Sequence, residues 1–117
     1  MVVRVLSGKL FLPDDVSDIK NTTIFVSVED ISKQDISSET ICKKTYRNVT
    51  FSKFEHVFPF SLDVPITDEK LHLIVKIHVD VDEDGQLSVG DYITTGMFSV
   101  LTRGYSDVVD IKLEKIK

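Results

Sequence analysis

The amino-acid sequence predicts an all-β protein: a single antiparallel β-sandwich of about seven strands, of the Ig-like or transthyretin-like kind. Three observations predict it. Apolar residues recur with period two in several stretches, most clearly Ile24, Val26 and Val28, and then Leu71, Leu73, Val75, Ile77 and Val79. Turn residues separate those stretches at short intervals. The length of 117 residues suits one core without staples, and no repeat, linker or low-complexity segment divides it.

Residues 2–11, which include Val3, Val5 and Gly8, alternate loosely and stop before Pro13, giving the first strand. A polar connection then reaches Asn21. Residues 22–30 form a strand with Ile24, Val26 and Val28 on one face and Phe25, Ser27 and Glu29 on the other. The Ser- and Asp-rich stretch 32–40 is a loop with room for a one-turn helix. Residues 41–51 read as an edge strand with Lys43, Lys44 and Arg47 outward. In 54–64, Phe58, Phe60, Leu62 and Val64 alternate with Pro59, Ser61 and Asp63, and Pro59 again favours an edge or a bulge, because it has no N–H for a ladder. Residues 65–70 are a turn. The clearest strand is 71–79, with His72, Ile74, Lys76 and His78 opposite its apolar face. Residues 92–100 form another strand, Gly104 marks a turn, and 108–116 close the chain.

Between the strands 71–79 and 92–100 runs DVDEDGQLSVGD, residues 80–91. Its acidic residues stand at places one, three, five and twelve, with Gly85 sixth, Leu87 eighth and Ser88 ninth, close to the spacing of a twelve-residue calcium loop. On that template Asp80, Asp82 and Asp84 supply side-chain oxygens, Gln86 its carbonyl, Ser88 a hydroxyl or bridging water, and Asp91 the last carboxylate. Two departures separate it from an EF-hand. Place twelve is Asp rather than the bidentate Glu, and the flanks alternate with period two, so no helix pair exists to open. A structural calcium that fixes the register of two strands is the expectation, against the alternative of a solvated Asp/Gly turn.

The remaining composition mainly excludes. A net charge of −5 argues against nucleic acid, which needs a basic face. Cys42 is the only cysteine, so there is no internal disulfide and no thiolate zinc site; packing is its expected role. His72 and His78 share a strand but stand ~20 Å apart at ~3.3 Å per residue, so no histidine site is expected. No nucleophile elbow, HExxH, P-loop or dinucleotide fingerprint occurs, and the expectation is no enzyme. No apolar run is long enough to span a membrane. The sequence as it stands reads as cytoplasmic, or as extracytoplasmic if an export signal has been removed.

Gly8, the pair Leu12-Pro13, the block from Val26 to Ser32 with Asp35 behind it, Val57-Phe58-Pro59-Phe60 and the strand 73–79 together make a further pattern. Through these the chain resembles the YbaY-like lipoprotein family, related to the YscW-type pilotin lipoproteins of type III secretion. The resemblance covers residues 5–79 and implies a compact β-sandwich, an exported and lipid-anchored location, and relatives with a DxDxDG…GDY segment like 80–92.

Three functions fit. One is a non-enzymatic calcium-binding sandwich whose ion supports an interaction surface. Another is a pilotin- or chaperone-like module that binds a peptide or protein through a strand edge or groove, with calcium irrelevant. The third is a calcium-dependent membrane-surface module with Asp14, Asp15 and Asp18 as a second acidic loop.

Overall fold

Alternation sends every second side chain of a strand to one face. In the computed structural model, which describes residues 2–13, 16, 18–33, 38–82 and 85–117, those faces meet across a single core. The strands are β1 (Val2–Phe11), β2 (Ile19–Asp30), β3 (Glu39–Phe51), β4 (Val57–Ile66), β5 (Leu73–Asp80), β6 (Tyr92–Ile93), β7 (Phe98–Ser99), β8 (Val108–Lys112) and β9 (Glu114–Lys115). One sheet has the order β4-β1-β8; the other runs β3-β2-β5-β6-β9, with β7 also paired to β5. The all-β, two-sheet architecture is the expected one. No helix among the described residues is long and apolar enough to cross a membrane. Asp14, Asp15, Asp35 and Asp84 lie outside the described residues, as does most of the stretch in which a one-turn helix had room.

Leu6 and Leu10 of β1, Phe60, Leu62 and Val64 of β4, and Ile111 of β8 form one buried cluster with Ile24, Val26 and Val28 of β2 and Leu73, Val75, Ile77 and Val79 of β5. Gly8 is fixed by space. A Cβ there would lie 2.0 Å from the Val109 carbonyl oxygen and 3.0 Å from the Phe60 ring, so β8 approaches β1 only because the side chain is missing.

Both prolines of β4 occupy an edge strand, as Pro59 led us to expect, and the strand runs on through Pro65 to Ile66 where a turn was expected. The parity explains this. The Ser61 N–H and C=O point away from β1, because both meet the Tyr46 hydroxyl, at 3.1 and 3.0 Å. Residues 59 and 65 share that parity, so neither proline removes a bond from the ladder with β1. Lys44 Nζ donates to the Ser61 carbonyl as well, at 2.7 Å. Tyr46 and Lys44 of β3 thus stitch the edge of one sheet to the edge of the other.

Three expectations are corrected. First, β1 and β8 pair in parallel, Ser7 opposite Val108 through Phe11 opposite Lys112, so the sandwich is not wholly antiparallel. Second, 92–100 is not one strand. From Ile93 to Phe98 the chain takes five steps while β5 takes three from His78 to Val75, and the surplus bulges out between β6 and β7. Thr94 bridges the gap, its amide donating to Ile77 O at 3.1 Å and its hydroxyl accepting from Ile77 N at 3.4 Å. Third, 108–116 divides at Leu113, which is buried and donates to Phe11 O at 2.9 Å, so the chain passes from the three-stranded sheet into the other. These two divisions give nine strands among the described residues instead of about seven.

Candidate metal centre

The strand β5 ends at Asp80 and β6 begins at Tyr92, with Val79 opposite Tyr92, so the acidic loop closes a short hairpin. Gly85 (φ 75°) and Gly90 (φ 100°) both take left-handed backbone, which is why the loop needs glycine there. The far end is held by β9 and its flank: Gly90 N donates to Ile116 O at 2.9 Å, and Ile116 N to Asp91 O at 2.8 Å.

Asp91, 1% exposed, clamps the loop. Its Oδ1 accepts from Val81 N at 2.9 Å, and its Oδ2 accepts from Ser88 N at 3.3 Å and His78 Nε2 at 2.8 Å. Asp80 is equally buried at 1%. Its Oδ2 accepts from Gly85 N at 2.7 Å, while Oδ1 has no hydrogen-bond partner among the described residues. Burial pushes the Asp80 carboxyl above its ordinary value, and the Asp82 carboxyl and the Asp91 charge push the same way, against the Gly85 amide and His78. A buried carboxylate oxygen without a donor is costly unless a proton or a cation meets it.

Of the expected ligands, the fold brings Asp80 and Asp91 together in the interior of the hairpin. Ser88 bridges outward, its hydroxyl donating to Asp82 Oδ2 at 2.9 Å. Asp82 and Gln86 are exposed, and Asp84 lies outside the described residues. His78, which was not expected to join a site, stands beside Asp80 and Asp91. Donor atoms of His78, Asp80 and Asp91 all lie within 4.8 Å of one another, about twice a calcium–oxygen distance of ~2.4 Å, so one ion can touch all three. The signal was available: His78 and Asp80 are two residues apart on a strand and leave the same face. Cys42 is half-buried with its thiol pushed up by burial, which fits packing.

Beside the loop, the outer face of the six-stranded sheet holds an open groove of about 570 Å³, with Phe25, Leu87 and Ile93 as apolar walls and Glu29, Lys43 and Lys76 as charged ones. Lys43 Nζ sits 4.7 Å from the Phe25 ring centre, and that ring stacks on His78 at 5.7 Å. Lys76 pairs with Glu29 at 3.1 Å. Gly85 and Leu87 belong to both the loop and the groove wall.

Fold and loop together define a two-sheet β-sandwich that presents a clamped acidic hairpin next to an open groove. Among solved structures, the chain is similar to an alternative pilotin from the type II secretion system of Vibrio cholerae, with a TM-score of 0.79, 18% identity and 99% of each chain covered. At that identity the likeness is one of fold, and it extends from end to end. No protein-family model and no curated protein matches the chain.

Proposed function

We propose that this chain is a non-enzymatic, pilotin-like module that binds a peptide segment of a secretion-system component in the groove on its six-stranded sheet. The observation that supports this is the end-to-end fold likeness to a pilotin, with 99% of each chain covered. The resemblance to YbaY-like and YscW-type lipoproteins points the same way, and would place the protein outside the cytoplasm. The groove volume of about 570 Å³ suits a few side chains of a partner. Phe25 and Ile93 offer apolar contact, and Lys43 and Glu29 offer polar handles. The test is fluorescence anisotropy with labelled peptides tiled across secretion-system components of the same organism. At least one segment is expected to bind, and Phe25→Ala to weaken it about tenfold or more, as loss of an aromatic anchor does. Absence of binding by every segment, or equal binding by Phe25→Ala, overturns the proposal.

A second reading is favoured by Asp80 Oδ1, which is buried and has no hydrogen-bond partner among the described residues. The 80–91 loop holds a divalent cation, calcium by the oxygen spacing of its sequence, with Asp80 and Asp91 inside and Asp82, Gln86 and Ser88 contributing at the rim. Such an ion is structural: it fixes Gly85 and Leu87, and with them one wall of the groove. Calorimetric titration of the chelator-treated protein with calcium should give one site per chain, and a flat titration with every divalent ion removes the reading.

A further inference from the structure

We propose that His78 is itself a ligand in the loop's cation site, so that the site takes a zinc-class dication in preference to calcium. This rests on the reading of a divalent cation in the loop and puts a zinc-class ion in the place of calcium. His78 and Asp80 project from the same face of β5, and Asp91 closes over them from the start of β6. Nε2 of His78 stands 2.8 Å from Asp91 Oδ2, and the three residues offer donor atoms within 4.8 Å. The independent sign of a missing partner is Asp80: it is 1% exposed and Oδ1 has no hydrogen-bond partner among the described residues. The imidazole is held in place from outside by the Phe25 ring at 5.7 Å.

The chemistry of this donor set departs from the calcium template. Calcium is a hard ion that collects six to eight oxygens, whereas imidazole nitrogen suits zinc and its neighbours. One nitrogen and two carboxylates are three ligands of a tetrahedral site, leaving the fourth position to water or a rim oxygen. On binding, the Nε2 proton is released to solvent and the His78–Asp91 hydrogen bond is replaced by a bridging ion. Asp91 keeps its hold on the loop through Oδ1 and the Val81 amide. The competing role for His78 is positioning alone: it keeps its proton and orients Asp91 for an oxygen-bound calcium.

The experiment titrates the chelator-treated full chain with zinc and, separately, calcium by calorimetry, in wild type and His78→Gln, and follows the histidine ring nitrogens by NMR. The expected result is one zinc per chain, bound at least tenfold tighter than calcium. The His78 Nε2 resonance shifts with one equivalent of zinc, and His78→Gln loses at least tenfold in zinc affinity with calcium unchanged. Zinc binding less than tenfold tighter than calcium, an unshifted His78 ring, or a His78→Gln variant that leaves zinc affinity intact overturns the inference while leaving a cation in the loop, and a shift at His56 or His72 instead overturns it by placing the zinc elsewhere. No binding of either ion overturns both. If His78→Gln does not fold, the wild-type affinity order and ring-nitrogen spectra decide the matter alone.

Discussion

Asp80→Asn separates the cost of the buried charge from its use. The cation-free protein carries at Asp80 a carboxylate that is 1% exposed and has one oxygen unpartnered among the described residues. Its pKa lies above the ordinary value, chiefly through burial. A carboxyl raised in the folded state favours folding when protonated. That favour is lost as pH rises through the folded pKa, so at pH 7 the ionised group subtracts stability. Asparagine keeps an oxygen for the Gly85 amide and removes the charge, so cation-free Asp80→Asn should melt no lower than wild type at pH 7. A cation at 100 times its Kd adds about 2.7 kcal/mol to the wild type. For a domain of this size each kcal/mol moves Tm by roughly 3–6 °C. The wild-type shift is therefore on the order of 8–16 °C. In Asp80→Asn it should fall below about 2 °C, since one of the two buried carboxylates that face the ion is gone. Differential scanning calorimetry with cation and with chelator measures both quantities. An undiminished shift in Asp80→Asn, or a cation-free variant that melts many degrees lower, would refute the reasoning.

Gly8→Ala drives a Cβ to 2.0 Å from the Val109 carbonyl and should cost about 3 kcal/mol or more in urea unfolding, because backbone has to move. Tyr46→Phe removes the hydroxyl that serves both the N–H and C=O of Ser61; water partly replaces it, so the loss is about 0.5–1.5 kcal/mol, accompanied by faster hydrogen exchange at the Ser61 amide. Burial pushes the Asp30 carboxyl up, but hydrogen bonds from Ser32 and the backbone at His72, with the Lys33 charge, bring it below its ordinary value. Its contribution is thus fully present above the unfolded pKa of about 3.9 and lost as pH falls through the lower folded value. Asp30→Asn should flatten the fall of the urea midpoint below pH ~4, and an unchanged acid limb would count against this account.

The strands that bury one face were legible because period two is written in single side chains: Leu73, Val75, Ile77 and Val79 are all buried as their spacing requires. Pairing direction is not written there. The parallel β1–β8 ladder depends on Gly8 leaving room for Val109, and alternation carries no sign for direction. The division of 92–100 depends on two surplus residues measured against β5, which appear only once the partner strand is known. In the loop, Asp80, Gly85 and Asp91 could be found from spacing because local turns set their places. The hydrogen bonds of Asp91 to Val81, Ser88 and His78 depend on the closed hairpin and are not visible in the spacing. His78 stands apart from the other histidines in sequence, and its nearness to Asp91 appears only once the hairpin is closed.

The groove assignment is tested most directly by mapping a bound peptide onto the protein through backbone amide chemical shifts, with the cation present. The expected perturbations fall on Phe25, Ser27, Lys43, Leu87 and Ile93, around the groove beside the loop. Perturbations centred instead on Val3, Val5 and Val108, which are among the exposed apolar residues of the three-stranded sheet, would contradict it.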